Sequence, residues 1–236
     1  MKTTKLFPKT HLWLVIPFII IITSFYPSYW TKFFSVPFRF HVHGLTATCW
    51  YILVIIQPYL YQRNNLRLHR RLGLAGLFLA GGVIFSALQL LPFILSNPNI
   101  PPNIVNGIIY LDIVALGGFV ISVYLGIRNV KNTRVHGRWM IATVFWSLLP
   151  ALVRFLNFPV GEIIDLNMSF TGLVYVTNTL VFLAAGVIML DDYRKEKVVY
   201  KSFSFIAIVM VIVTLTYSYV AESSFWGNLL REMIKI

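Results

Sequence analysis

Apolar residues follow one another along this chain in long runs that short polar segments separate. Runs of roughly 20 residues, the length that crosses a hydrocarbon core as a helix, begin near Leu12, Phe40, Leu72, Ile104, Trp139, Phe170 and Phe203. The pattern predicts an all-α, polytopic membrane protein with about seven transmembrane helices. We number them spans one to seven and expect a single membrane domain over residues 1–236.

The composition supports a bilayer protein. Hydrophobic residues make up 58% of the chain, charged residues 12%, and the mean hydropathy is +0.75, so the chain could not cover itself with a polar surface in water. We find no nucleotide-binding glycine loop and no basic face with interleaved aromatic residues. The net charge of +12 therefore indicates membrane lipids as partners and no nucleic acid.

The charges in the loops predict the topology. Basic residues follow spans two, four and six, namely Arg63, Arg67, Arg70, Arg71, Arg128, Lys131, Arg134, Arg138, Arg194, Lys195, Lys197 and Lys201. The segment "SNPNIPPN" is uncharged, and the loop near Gly161 carries acidic Glu162 and Asp165. Because basic loops stay in the cytoplasm, we expect the N-terminus inside and the C-terminus outside.

The first span follows three lysines, Lys2, Lys5 and Lys9. It is too long for the apolar region of a signal peptide and no small-residue cleavage site follows it, so we interpret it as a retained helix. Cys49 is the only cysteine, which excludes an internal disulfide and a cysteine cluster that binds metal.

A basic pentapeptide occurs twice at the foot of an apolar run. The pattern R-x-H-x-R begins at Arg67 and again at Arg134. Superposing His69 on His136 aligns residues 40–95 with residues 104–158, which suggests a parallel repeat of two helical hairpins. Spans two to five would then form a four-helix core with the other spans at its periphery.

The two repeated histidines are candidate haem ligands. His69 and His136 begin two helices that run in the same direction, so they lie at one depth, and a single b-type haem could bind between them with Arg67 and Arg134 near its propionates. Residues two apart on a helix point in nearly opposite directions, so inward histidines would turn Arg71 and Arg138 toward headgroups. The alternative is a topology signal, in which the histidines cap loops or bind headgroups.

Each core span also carries one polar residue on the outer side. These residues are His43, Gln89, Asp112 and Arg154, and a rise of about 1.5 Å per residue places all four in the outer part of the bilayer. Asp112 has the highest free-energy cost in the bilayer, because an unpaired carboxylate is unfavourable in hydrocarbon. We expect it to pair with Arg154, or otherwise with His43. The group is either a structural ion pair or a ligand pocket for a headgroup or quinone carbonyl, with a proton relay as a related role.

The stretch "FHVHG" at Phe40 has the form of a His-x-His metal site. In a helix, however, His41 and His43 face opposite ways, so they could share a metal only if this stretch is extended.

Three segments together resemble a known bacterial membrane family. They are "HGRWMIATVFWSLLPALVR", "HVHG" and "RLHRRLG", and they are similar to the family catalogued as domain of unknown function 2306. The matching residues are His43 or His41, His69, Arg70, Gly73, His136, Arg138, Trp139, Met140 and Arg154. Ala142 stands where that family often carries a further arginine.

The resemblance extends over spans two to six and implies a multi-pass protein of the bacterial inner membrane, without an assigned activity. A looser, architectural likeness is to b-type transmembrane cytochromes, which also place histidines on a four-helix core.

Two functional hypotheses follow. The first is a redox protein linked to haem or quinone, with one b-type haem between His69 and His136 and a quinone or proton site in the outer residues. The alternative is a non-catalytic transporter of a small molecule or ion, or an assembly partner of another membrane subunit, that uses the same outer pocket. The sequence leaves open whether the protein is an enzyme.

Overall fold

The computed structural model describes residues 9–165 and 167–234, so Lys2 and Lys5 lie outside the described residues. All regular structure in these ranges is helical. The main helices are α1 (Thr10–Ser24), α2 (Phe38–Gln62), α3 (Leu66–Leu95), α4 (Pro102–Arg128), α5 (Thr133–Phe155), α6 (Phe170–Glu196), α7 (Lys201–Glu222) and α8 (Ser224–Ile234). Short helical turns occupy Trp30–Lys32, Leu156–Val160 and Gly161–Ile163.

Helices α2 to α7 are each long and apolar enough to cross a bilayer, which confirms the prediction of a polytopic membrane protein. Their outward faces carry large apolar side chains, such as Phe78, which is 86% exposed, and Leu215, which is 79% exposed. Such faces are stable in contact with lipid chains. The fold is therefore that of a multi-pass membrane protein.

The first predicted span is shorter than the others. Helix α1 falls below the roughly 20 residues of a full crossing, but its two ends reach opposite ends of the bundle. The His11 ring lies 5.4 Å from the Tyr59 ring near the end of α2, and the Arg154 guanidinium lies 5.0 Å above the Phe25 ring, just after α1. The seven predicted spans are thus six long helices and one shorter helix that runs beside them.

The two ends of the bundle differ in charge. The basic end carries the short connections α2–α3, α4–α5 and α6–α7, and the outer end carries the connections α3–α4 and α5–α6. Helices α2, α4 and α6 run toward the basic end, and α3, α5 and α7 return to the outer end.

We expect the three basic connections to be cytoplasmic, because the insertion machinery retains positive loops on that side. Fusions of a reporter that is active only in the cytoplasm should give signal at residues 64, 131 and 198 and none at residue 98. Absence of signal from the fusion at residue 131 would contradict this orientation.

The helices α3 and α5 begin in the same way. The side-chain oxygen of Asn65 accepts a hydrogen bond from the Leu68 amide at 3.3 Å, and that of Asn132 accepts one from the Val135 amide at 3.3 Å. An asparagine in this position satisfies an amide that the first turn leaves unpaired. The repeated pattern is therefore longer than the pentapeptide and reads N-x-R-x-H-x-R in both hairpins.

Helices α2 to α5 pack in succession as predicted, and the buried interior extends beyond them. Helix α7 packs along α4, α6 packs along α7, and both contact α5, which is the most buried helix. The fully buried Trp146 of α5 donates from Nε1 to Ser122 Oγ at 2.8 Å. A Cβ on Gly118 would lie 2.3 Å from this indole, so glycine permits the close approach of α4 and α5.

Candidate functional site

The repeated histidines meet at the basic end of the bundle. The ring centroids of His69 and His136 are 6.4 Å apart and the ring planes are inclined by 78°. The helices α3 and α5 that carry them both pack against α2 and α4, so the two rings approach each other across the bundle. Both side chains are partly buried. We call His69 and His136 the histidine pair.

Each histidine closes its own hairpin with the same ring atom. Nδ1 of His69 is 3.3 Å from the Gln57 carbonyl oxygen in α2, and Nδ1 of His136 is 2.8 Å from the Gly126 carbonyl oxygen in α4. A carbonyl oxygen only accepts, so Nδ1 of each ring donates and carries the proton. In a neutral ring this leaves Nε2 with its lone pair, as a metal ligand requires.

The spacing of the histidine pair fits a metal held between two imidazoles. Two metal–nitrogen bonds of about 2 Å, plus the ring radius on each side, give a centroid separation of about 6 Å, close to the observed 6.4 Å. Gln57 Oε1 beside His69 is buried and has no hydrogen-bond partner, while its Nε2 donates to the His69 carbonyl at 3.2 Å. Gln57 Oε1 can therefore accept a hydrogen bond from a bound group.

The arginines of the pentapeptides are placed differently from each other. Arg67 is exposed, whereas Arg134 donates from Nη1 to Glu196 Oε2 at 3.3 Å, with half of its side chain exposed. Within the described ranges, no three histidine, cysteine, aspartate or glutamate side chains converge as metal ligands. A pair of imidazoles suits a metal that brings its other ligands with it, as haem iron does.

Near the outer end, the polar partner of His43 on α3 is Ser86. His43 Nδ1 lies 3.1 Å from Ser86 Oγ, and Thr46 Oγ1 lies 3.1 Å from the same oxygen. Gln89 of the same helix is exposed, and its role in a pocket stays a prediction. Ser86 escaped notice because a serine inside an apolar run gives little polar signal, although its exposed fraction is only 1%.

The other two predicted residues lie at the level of His43. The parallel helices α2 and α4 touch through Trp50 and Phe119, whose ring centroids are 5.2 Å apart. His43 and Asp112 each lie seven residues before their member of this pair, two turns or about 10 Å toward the outer end on the same helix faces. Arg154 on α5 interacts electrostatically with both. We call His43, Ser86, Asp112 and Arg154 the outer polar cluster.

Asp112 and Arg154 do not form the direct ion pair that we expected. Within the described part of the chain, Asp112 has no hydrogen bond and no ion pair. Arg154 Nη1 donates instead to the carbonyl of Pro150 at 2.9 Å, one turn back on α5, and the guanidinium lies over Phe25. The carboxylate and the guanidinium therefore do not neutralise each other by direct contact.

We expect Asp112→Asn to melt at or above the temperature of the unmodified protein in detergent. The substitution removes the cost of burying a charge and breaks no hydrogen bond. Thermal unfolding measured by tryptophan fluorescence would show this, with Asp192→Asn, a paired aspartate, as the destabilised comparison. A large loss of melting temperature for Asp112→Asn would mean that its carboxylate has a direct partner.

The two histidines of "FHVHG" face different neighbours, as their positions in a helix predicted. His41 Nδ1 is 2.9 Å from the Tyr29 hydroxyl, and its ring also packs against Phe33, whereas His43 faces Ser86. The stretch is helical, so these two histidines do not assemble a His-x-His metal site.

A charged cluster at the basic end was not predicted. Arg138 is 3% exposed and donates from Nε to Asp192 Oδ2 at 2.7 Å, with a second bond from Nη2 to Oδ1. Nη2 also lies 3.1 Å from Glu196 Oε1, and the guanidinium lies 3.7 Å from the Tyr200 ring. The expectation that Arg138 points to headgroups is therefore wrong. We call Arg138, Asp192, Glu196 and Tyr200 the arginine cluster.

The arginine cluster ties α5 to the end of α6 and the start of α7. Burial and the hydrogen bond that Tyr200 donates to Glu196 raise the pKa of the Tyr200 hydroxyl, so it keeps its proton. Asp192 and Glu196 are four residues apart and share one helix face. The sequence could have indicated this cluster, because the positive-inside rule does not explain two acidic residues on one face of a basic helix end.

Comparison of the chain with protein-family models, with curated proteins and with solved structures found no match. The resemblance to the family of unknown function 2306 stays a prediction, and the candidate sites rest on their geometry alone.

Proposed function

We propose that this protein is a membrane redox protein in which His69 and His136 would hold the iron of a single b-type haem. When bound, such a haem supplies a one-electron redox centre inside a four-helix arrangement. A location in a bacterial inner membrane and membership in family 2306 are part of this proposal. The supporting observation is the meeting of two histidines from separate hairpins with their Nδ1 atoms already engaged.

The protein backbone orients the two histidine rings that would bind the haem iron. Backbone carbonyls hold both rings through Nδ1, so each ring's rotation is restricted before any metal binds, and preorganised ligands lose less freedom on binding. Arg67 and Arg134 each lie two residues before a histidine of the pair, at the same end of the bundle; Arg67 is exposed and half of the Arg134 side chain is exposed. These two residues supply the positive charge that haem propionates need.

The outer polar cluster is the proposed site for a quinone head group or for a proton. The imidazole of His43 and the guanidinium of Arg154 can donate to a quinone carbonyl, while the Asp112 carboxylate can accept from a quinol hydroxyl. Arg154 is exposed at the surface of the bundle, where a quinone dissolved in the bilayer would reach it. A partner membrane subunit could deliver or receive electrons in the same assembly.

The second candidate function is non-catalytic, and the state of Asp112 favours it. A carboxylate in a membrane-spanning helix without a direct partner is costly, and such residues commonly mark substrate or ion pathways. In this case the protein is a transporter of a small molecule or ion, or an assembly partner. The histidine pair would then serve only to close the two hairpins.

The absorption spectrum of the purified protein separates the two candidates. A low-spin b-type haem with two histidine ligands should give an intense Soret band that shifts and sharpens on reduction with dithionite. Expression in medium that contains a haem precursor ensures that the cells make enough haem to load the protein. A colourless, folded protein after such expression would overturn the redox proposal and leave the second candidate.

A further inference from the structure

The C-terminal helix α8 has three distinct faces. It begins after a single residue, Ser223, beyond the outer end of α7, and it packs across the outer ends of α3 and α4. It therefore turns away from the direction of the membrane-spanning helices. Its first face is buried against the bundle, its second is apolar and exposed, and its third is polar.

The buried face fixes α8 in place. Leu230 is 1% exposed and packs with Val105 and Ile109 of α4. One turn earlier, Trp226 donates from Nε1 to the Asn106 carbonyl at 3.2 Å. Gly227 lies against the Asn106 side chain, where an added Cβ would come within 2.9 Å of Nδ2. The position of α8 over α4 is thus set by close packing.

The exposed apolar face forms a stripe along one side of α8. Phe225 is 76% exposed, Leu229 43% and Met233 62%, and a spacing of four residues places all three on one side of a helix. Asn228 and Arg231 lie on a different side and bond to each other at 2.9 Å. A short helix with aromatic and aliphatic residues on one side and a basic residue on its polar side is typical of the membrane interface.

The stripe continues a surface that faces lipid. On α7 the exposed apolar residues Ile212, Leu215 and Tyr219 follow one another toward the outer end, and Tyr219 is 81% exposed. After Tyr219, the next exposed large apolar side chain in the sequence is Phe225. The exposed apolar surface of α7 therefore continues to the start of α8.

We infer that α8 lies flat in the outer membrane interface, with Phe225, Leu229 and Met233 inserted among the acyl chains of the outer leaflet and Asn228 and Arg231 toward water. The partner of this surface is the lipid bilayer itself. The inference is independent of the proposed redox function. It makes α8 an anchor that connects the outer leaflet to α4, the helix that carries Asp112.

Spin labelling tests this placement in the full chain. Cysteine is introduced singly at residues 225, 229, 233 and 228 in a Cys49→Ala background, labelled with a nitroxide and reconstituted in phosphatidylethanolamine–phosphatidylglycerol vesicles. We expect labels at 225, 229 and 233 to collide several-fold more with oxygen than with a water-soluble nickel chelate, and the label at 228 to show the reverse. Phe78→Cys, on the exposed face of α3, is the reference for a lipid-facing site.

Two results would overturn the inference. Access of the nickel chelate to all three stripe positions would place α8 in water. Protection of the stripe from both reagents would show that protein covers it, and dipolar broadening between labels would then identify a second copy of this chain.

Discussion

His69→Ala and His136→Ala should each abolish the Soret band of the purified protein, if the histidine pair binds a haem. The two rings are 6.4 Å apart, and in this geometry both are needed, because an iron with one remaining histidine is held by a single protein bond. At equal amounts of folded protein, the Soret absorbance should fall from its full value to background. Absorption spectra of the oxidised and reduced forms, recorded after size-exclusion chromatography, would measure it.

Two controls separate loss of a ligand from loss of structure. His11→Ala removes a histidine at the same end of the bundle, where the ring packs on Tyr59 of α2, and should leave the spectrum unchanged. Added imidazole should restore part of the band in His69→Ala or His136→Ala by filling the vacated position. A spectrum that survives either alanine substitution would show that the pair does not hold the haem.

Asp192→Asn should destabilise the protein far more than the same substitution at an exposed aspartate. Its carboxylate receives two bonds from Arg138, whose side chain is almost fully buried. The amide cannot neutralise the guanidinium, and removing one partner of a buried ion pair typically costs about 3–5 kcal/mol. The remaining contact of Arg138 with Glu196 at 3.1 Å offsets part of that cost. For a chain of this size the melting temperature should fall on the order of 10 °C.

The adjacent residue provides a matched control. Asp191 pairs with Lys195 at 2.7 Å, but 54% of the Asp191 side chain and 67% of the Lys195 side chain are exposed, and exposed pairs contribute little. Asp191→Asn should therefore melt close to the unmodified protein. The double substitution Arg138→Gln with Asp192→Asn should recover part of the loss. Equal melting of the two single variants would contradict a buried pair.

The sequence alone determined the fold class, because the bilayer imposes a length and a polarity on each crossing segment that composition reveals directly. It also placed His69 and His136 at one depth, and their rings are near each other in the structure. Two positions at the starts of helices that run the same way must share a depth, and the R-x-H-x-R pattern marked both starts. Each of these inferences used only properties that a helix has before it packs.

Only the tertiary structure decided which polar groups touch. Ser86 rather than Gln89 faces His43, and Arg138 bonds to Asp192 at the far end of the next long helix, 54 residues along the chain. Depth along a helix follows from residue number, but the direction of a side chain around the bundle depends on how far each helix is rotated against its neighbours. That rotation is fixed by close contacts such as Trp146 against Gly118, and the hydropathy of the segments is almost the same for every rotation.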